Sequence, residues 1–246
     1  MNSVTDQQIT DYVEAHIGTF HDKRLEALGK LKLSNLLRRK NPYLFRSKNL
    51  VAVSDLIKSL LDSYLSSQEE TLFGDFLEGL AIYVAEQVHS GYKSSATGVD
   101  LEFVKDGARY IVSIKSGPNW GNSSQIARMK ENFNTAAIVI RQGNIATNVI
   151  AVNGCCYGRN ANPDRGGYFK YCGQQFWELI SNDSDFYTRI IELLGHQAKQ
   201  RNDDFAASYG AVVNRLSLEF SSIFCLQSGA IDWNKLVAFG SSKRMP

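Results

Sequence analysis

An aspartate and a lysine on adjacent strands of a predicted β-hairpin form the most chemically suggestive pattern in this chain. Residues 99–103 alternate apolar and acidic side chains, as a strand with one buried face does, and residues 110–115 form the returning strand. Asp106-Gly107 predicts a two-residue turn that places residue 100 opposite residue 113. Asp100, Ser113 and Lys115 should therefore share one face.

This pair of charges suits metal-dependent phosphodiester hydrolysis. A carboxylate holds a hard cation such as Mg²⁺, which polarises the phosphate and activates water. A neighbouring ammonium orients that water or stabilises the developing charge. The alternative is a surface Asp–Lys cross-strand pair worth roughly a few tenths of a kcal/mol.

A predicted helix over residues 71–88 precedes the hairpin and carries a glutamate beside its apolar stripe. Glu78 has Gly74 four residues before it and Ala81 three after it, so the neighbouring side chains leave room around the carboxylate. A glutamate at the edge of a buried face needs a partner. An ion pair with a lysine and a place in a metal site both satisfy that need.

The composition is that of an ordinary globular protein, with 246 residues, 43% hydrophobic and 21% charged. No apolar run approaches the length of a membrane span, and no signal-peptide pattern opens the chain, so we expect a cytoplasmic protein with no membrane partner. The four cysteines are expected to be buried free thiols, and a metal site formed by Cys155, Cys172 and His196 is the alternative for two of them.

Positive charge is concentrated near the N-terminus. Between Asp22 and Lys48, nine lysines and arginines stand against Asp22 and Glu26, so this segment carries +7 while the whole chain carries only +2. Two aromatic residues, Tyr43 and Phe45, lie within it. The pattern favours contact with an anionic polymer such as DNA over a merely solvated helix surface. The predicted phosphate contacts are Arg38, Arg39, Lys40, Arg46 and Lys48.

The order of the predicted elements indicates an α/β fold. Residues 5–66 are predicted to be helical, residues 136–140 and 148–152 to be strands, and the chain from residue 174 to be mostly helical. We therefore expect a central mixed β-sheet flanked by helices, with a helical N-terminal lobe. The predicted domains are a basic helical lobe over 1–68, serving DNA contact or dimerisation, and an α/β core over 69–246.

A polar loop follows the hairpin and leads into a helix that starts near residue 125. Its amide and hydroxyl side chains suit the reading of base edges, because Asn and Gln pair bidentately with adenine and Ser pairs with several bases. The predicted DNA contacts in this loop are Asn119, Trp120, Asn122, Ser123, Ser124 and Gln125.

Four blocks of sequence, together with the hairpin, resemble the PD-(D/E)XK nuclease superfamily, and within it type II restriction endonucleases of the PmeII-type group. The blocks are residues 39–49, 71–78, 113–121 and 172–177. The resemblance implies a Mg²⁺-dependent endonuclease of a restriction–modification system that cuts both strands of duplex DNA as a homodimer. It also implies that Asp100 binds the metal, that Lys115 positions the attacking water, that the carbonyl of Ile114 completes the coordination, and that Glu78 lies near the site.

One position departs from the pattern of that superfamily. The residue two before the lysine is normally acidic, and here it is Ser113, whose neutral hydroxyl is a poor Mg²⁺ ligand. The candidates for the missing acid are Glu131 on the following helix, Glu78 and Glu102. The departure also keeps open a second function, a catalytically silent, sequence-specific DNA-binding module on the same fold.

Overall fold

The computed structural model describes residues 3–195 and 198–243. Among these residues no helix is long and apolar enough to cross a membrane. The helices are α1 (Asp6–Gly29), α2 (Leu33–Arg38), α3 (Pro42–Ser47), α4 (Val53–His89), α5 (Ser123–Gly143), α6 (Gln174–Ser181), α7 (Phe186–Leu194), α8 (Ala198–Phe224) and α9 (Trp233–Ser241). The strands are β1 (Tyr92–Lys93), β2 (Leu101–Lys105), β3 (Ala108–Lys115), β4 (Val149–Cys155) and β5 (Phe169–Cys172).

The strands form a mixed sheet in the order β1-β2-β3-β4-β5. Strands β1, β2 and β3 are antiparallel neighbours, whereas β3, β4 and β5 run parallel. The β2–β3 hairpin has the predicted register, in which Lys105 pairs with Ala108 and Leu101 with Val112. Its turn residues Asp106 and Gly107 have φ values of 50° and 74°, as a type I′ turn requires.

Helices cover both faces of this sheet and confirm the predicted α/β class. One face packs Leu101, Phe103 and Val112 against α4, α6 and α7. The other face packs Val99 and Ile111 against α5, which crosses from the end of β3 to the start of β4. Both faces of the hairpin are therefore buried. Val99, predicted to share a face with Leu101, lies on the α5 side instead, because Asp100 and Leu101 both lie opposite Val112 and the alternation of faces shifts there.

The described chain divides into two compact units, each with its own apolar core. Among the described residues, the α/β unit comprises those up to Gly18 together with Phe73–Gly195, and the helical unit comprises Thr19–Leu72 together with those from Ala198 onward. Helices α8 and α9 thus pack with the basic N-terminal segment, whereas the predicted boundary at residue 68 placed them in the α/β core. Non-local packing of Leu216 and Phe220 against Leu36 and Leu60 brings them there.

Two predicted elements differ from the structure. The predicted break at Ser66-Ser67 does not exist, because α4 runs unbroken from Val53 to His89 and both serines lie exposed on it. The predicted strand over 136–140 is instead the second half of α5. Its β-branched residues favour a strand locally, but Met129, Phe133 and Ala136 recur at helical spacing and bury one stripe of α5.

Candidate functional site

The carboxylate of Asp100 is fixed at the point where the β2–β3 pairing begins. Its backbone N–H donates to the Val112 carbonyl at 2.8 Å, so Asp100 and Leu101 both lie opposite Val112 in a β-bulge, and Asp100 is not directly opposite Ser113 as predicted. Its Oδ2 accepts the backbone N–H of Ile114 at 2.6 Å and lies 3.4 Å from the Ser113 hydroxyl. Oδ1 accepts no hydrogen bond from the described residues, so one carboxylate oxygen is free to bind a ligand.

The ammonium of Lys115 lies directly beside this carboxylate. Its Nζ is 3.7 Å from Asp100 Oδ2 and donates to the carbonyl of Ile114 at 2.7 Å. A cation therefore already occupies the space between these two oxygens. The predicted convergence of Asp100, Ser113 and Lys115 on one patch is present in the structure.

A tryptophan and a buried asparagine support the lysine from the other side. Lys115 Nζ lies 5.4 Å from the centroid of the Trp120 ring, within the range of a cation–π contact. The Trp120 indole N–H donates to Asn153 Oδ1 at 3.0 Å, and Asn153 Nδ2 donates to the Ser113 carbonyl at 3.2 Å. Asn153 was not predicted as a site residue, although an asparagine within an apolar strand is a signal that a buried polar partner exists.

This geometry predicts graded effects of substitutions at Trp120. Trp120→Leu should lower the DNA cleavage rate about 5-fold, because a cation–π contact is worth about 1 kcal/mol. Trp120→Phe keeps an aromatic face and should retain most of the wild-type cleavage rate. Single-turnover rates and DNA affinities of the two variants test this. A large loss of DNA affinity in Trp120→Phe would instead favour the predicted direct DNA contact.

Glu78 on α4 lies close enough to the site to interact with its charges. Its side chain is 30% exposed and forms an ion pair with Lys93 at 3.7 Å. Burial, and after it the negative charge of Asp100, raises the pKa of Glu78 above its usual value, while Lys93 and Lys115 act in the opposite direction. The α4 backbone at Gly74 approaches Ser116 closely, which brings this part of α4 to the end of β3.

The oxygen atoms of this site suit a hard divalent cation whose remaining ligands are water and substrate phosphate. Within residues 3–195 and 198–243, no group of three or more His, Cys, Asp or Glu side chains is arranged to hold a metal ion. Mg²⁺, however, is commonly bound through one or two carboxylates, with water and substrate phosphate completing its shell. Asp100 and the Ile114 carbonyl present two oxygens to one cation, the Lys115 ammonium, and a second acid, Glu78, interacts electrostatically with Asp100 and Lys115.

The other two candidate acids have different surroundings. Glu102 is only 6% exposed, and its carboxylate accepts hydrogen bonds from Ser94, Tyr92 and Arg109. Burial alone would raise the pKa of Glu102, but the hydrogen bonds from Ser94 and Arg109 outweigh it and lower that pKa. Glu131 is exposed on α5 and forms no hydrogen bond or ion pair with Asp100 or Lys115. Neither of these acids has an ion pair or hydrogen bond with Asp100 or Lys115, whereas Glu78 interacts electrostatically with both.

The Glu102–Arg109 ion pair yields a prediction about stability. Arg109→Met should reduce the free energy of unfolding by about 1–3 kcal/mol at neutral pH, because it leaves a buried carboxylate without its cation. Because the pKa of Glu102 is lowered by folding, its contribution is present above its unfolded pKa and is lost as the pH falls through its folded pKa.

Denaturant titrations of the wild type and of Arg109→Met, at neutral pH and in steps to below about pH 4, measure this contribution. The difference in the free energy of unfolding between the wild type and Arg109→Met should become smaller in the acidic range. A gap independent of pH would contradict the assigned role of Glu102.

The loop after β3 divides its predicted DNA contacts into two groups. Asn122 caps α5 by accepting the backbone N–H of Gln125, and Gln125 returns a hydrogen bond to the backbone N–H of Asn122. The Ser124 hydroxyl also donates to Asn122, at 2.7 Å. Asn119 and Ser123 are exposed and form no side-chain hydrogen bond with a described residue, so they are the freer candidates for DNA contact.

The predicted phosphate contacts all lie in the helical unit. Lys40 donates to Ser63 at 2.6 Å, while Arg38 lies over Phe239 and Arg46 over Trp233. Within the described residues, none of Arg38, Arg39, Lys40, Arg46 and Lys48 forms an ion pair with a carboxylate. Their positive charge is therefore not neutralised locally.

The cysteines are unpaired thiols, as predicted, and three of them are buried. Cys155 and Cys172 are neighbours on β4 and β5, and burial raises the pKa of the Cys155 thiol to about 12. The thiolate that a metal would need is therefore disfavoured at neutral pH. His196, the third member of the alternative metal site, lies outside the described residues.

A mixed sheet flanked by helices, with an aspartate and a lysine converging at its hairpin, places the protein in the class of restriction-endonuclease-like folds. Residues 7–202 match the family model described as type II restriction endonuclease EcoO109I. This match covers most of the chain, and the chain therefore belongs to the type II restriction endonuclease EcoO109I family. The comparison does not single out the PmeII-type group. No curated protein matches the chain.

Proposed function

We propose that this protein is a Mg²⁺-dependent type II restriction endonuclease that hydrolyses both strands of duplex DNA at a specific sequence. The observation that carries the proposal is the Asp100–Lys115 pair, with Nζ 3.7 Å from Oδ2, in a chain that belongs to a restriction endonuclease family. The narrower likeness to the PmeII-type group rests on the four sequence blocks and stays a prediction.

Two groups of this chain would hold the metal ion, Asp100 through its free Oδ1 and Ile114 through its carbonyl. Bound Mg²⁺ supplies charge that polarises the phosphate and lowers the pKa of water. The Lys115 ammonium, which lies 3.7 Å from Asp100 Oδ2 and donates to the Ile114 carbonyl, would turn to hold the attacking water or the developing negative charge. The Ser113 hydroxyl donates a hydrogen bond to the Asp100 carboxylate. In this proposal Ser113 therefore orients that carboxylate and is not itself a metal ligand.

Glu78 is the acid that we propose in place of the one missing at position 113. It is the candidate whose pKa responds to Asp100 and Lys115, and its ion pair with exposed Lys93 is open to exchange. Glu102 is better explained by its ion pair with Arg109, and Glu131 is exposed and forms no ion pair with a described residue.

We further propose that the enzyme acts on DNA as a cytoplasmic homodimer, since one site cuts one strand and two symmetric copies would cut both. A twofold enzyme implies a palindromic or nearly palindromic target. The competing function is a silent DNA-binding module, which Ser113 favours because it removes a metal ligand.

Digestion of a mixed-sequence plasmid by the purified protein, with Mg²⁺ and with EDTA, tests the proposal. Discrete fragments only with Mg²⁺ would support a sequence-specific endonuclease, and mapping of their ends would reveal the target. Intact plasmid under all conditions, with sequence-specific binding retained, would favour the silent module.

The basic segment of the helical unit predicts a change in salt dependence. The double variant Arg39→Gln/Arg46→Gln should bind DNA more weakly and reduce the slope of log K against log salt by about 2 for each protomer, because each phosphate contact contributes about 0.9. Lys30→Gln is the matched control, since Lys30 is exposed in the same segment but pairs with Glu26. Equal slopes for the wild type and the double variant would contradict phosphate contact by this segment.

A further inference from the structure

The loops that follow β3, β4 and β5 pack into one surface at the carboxyl edge of the sheet. Lys115, Cys155 and Cys172 are in register across the three strands, so the loops begin side by side. The Tyr157 ring lies on Gly117 and the Pro118 ring on Gly158, where no larger side chain would fit. Lys170 also donates to the Pro118 carbonyl at 2.7 Å. We call the loops at 116–122 and 156–168, together with Gly173 and the first turn of α6, the edge loops.

A cleft of about 650 Å³ opens between the second and third edge loops. Four polar side chains line it, namely Arg159, Asn160, Gln174 and Gln175, and Tyr157 and Tyr187 form part of its wall. No carboxylate of a described residue lines it. The cleft therefore combines aromatic and polar side chains with the positive charge of Arg159, which no lining carboxylate offsets, as suits a surface that receives nucleic acid.

The four polar side chains differ in their existing partners. Asn160 holds its own loop by donating to the carbonyls of Asn162 and Lys170, and Gln174 donates to the Ser184 carbonyl. Arg159 and Gln175 are exposed and form no hydrogen bond or ion pair with a described residue. The hydrogen bonds that hold the local structure thus do not involve the Arg159 and Gln175 side chains, which present unused hydrogen-bonding groups to the cleft.

We propose that Arg159 and Gln175 contact base edges in the major groove and set the target sequence, with Arg159 reading a guanine. This inference rests on the proposed function, since it requires duplex DNA at the carboxyl edge. Arginine pairs bidentately with guanine O6 and N7, and glutamine with adenine. Strand spacing places the end of β5 about 10 Å from that of β3, so the guanine should lie within about three base pairs of the cut.

Arg159→Ala and wild type should be compared for binding, without metal, to the mapped target and to its single base-pair variants. We expect Arg159→Ala to bind the target about 10- to 100-fold more weakly and to lose discrimination at only one G·C pair in each half of the twofold target. Replacing that guanine with 7-deazaguanine should weaken wild-type binding and leave Arg159→Ala unchanged. Arg141→Ala is the control, because it lies in the last turn of α5, at the opposite edge of the sheet.

An equal loss on every duplex, with a smaller salt slope, would mean that Arg159 contacts a phosphate and would overturn the inference, as would unchanged binding. Arg159→Lys, which keeps the charge but not the bidentate fork, should bind nonspecific DNA normally and still lose discrimination. A wild type that neither binds nor cuts DNA specifically would overturn the proposed function itself, whereas a wild type that does so while Arg159→Ala keeps its discrimination overturns only this inference.

Discussion

Asp100→Asn should lower DNA cleavage at least about 10³-fold, because several kcal/mol of metal-derived stabilisation of the transition state depend on this carboxylate. The asparagine can still accept the Ile114 N–H, so the hairpin should keep its structure. DNA binding without metal and the thermal midpoint should therefore stay close to those of the wild type. Cleavage rates of the two proteins at saturating Mg²⁺ measure the effect.

Asp106→Asn is the matched control, since Asp106 lies at the turn of the same hairpin and asparagine tolerates its positive φ of 50°. It should cleave like the wild type. A rate for Asp100→Asn within tenfold of the wild type would remove Asp100 from the metal site.

The same variant allows a test that needs no activity. A ligand that binds only the folded state stabilises it by mass action, so Mg²⁺ should raise the thermal midpoint of the wild type in proportion to its occupancy. Asp100→Asn should lose that shift. Glu78→Gln should reduce it as well, and it should raise stability without metal at neutral pH, because the raised pKa of Glu78 means that its charged form is disfavoured in the folded state.

Lys115→Met should lower cleavage about 10²- to 10³-fold, the usual cost of removing one group that stabilises developing charge. Its ammonium is the cation closest to Asp100 and is held over the Trp120 ring. Lys115→Arg should not restore the rate, because a planar guanidinium cannot replace a compact ammonium in this geometry. Lys130→Met, at an exposed position on α5, is the control and should cleave normally.

DNA affinity separates catalysis from binding in this series. Lys115→Met should bind the target nearly as tightly as the wild type in the absence of metal. A parallel loss of binding and cleavage would indicate that Lys115 contacts DNA rather than the reacting groups.

Local rules were sufficient to predict the centre of the site. The Asp106-Gly107 turn fixes the pairing from Lys105–Ala108 to Leu101–Val112, which brings Asp100 close to Lys115, although a bulge at Asp100 shifts it from the predicted position opposite Ser113. Glu78 was also predicted as a candidate from its own helix, since the small residues around this acid leave room for a partner. These features depend on residues close together in the chain or on a single turn type.

Features created by tertiary packing could not be predicted in this way. The Trp120–Asn153 hydrogen bond joins a loop to a strand 33 residues away, and no periodicity reveals it. The β-branched residues 138–140 favour a strand locally, yet the buried stripe of α5 overrides that preference. Helices α8 and α9 join the helical unit through an apolar face whose partner lies more than a hundred residues earlier.

Cleavage by a preformed complex in a single turnover tests most directly whether this protein is a Mg²⁺-dependent endonuclease. Wild-type protein is bound to its target duplex without divalent metal, and excess Mg²⁺ is then added together with unlabelled competitor DNA. Our account predicts that the bound duplex is cut in both strands during that first binding event, and that Asp100→Asn leaves it intact. Release of uncut duplex by the wild type would contradict the account and identify the protein as a silent DNA-binding module.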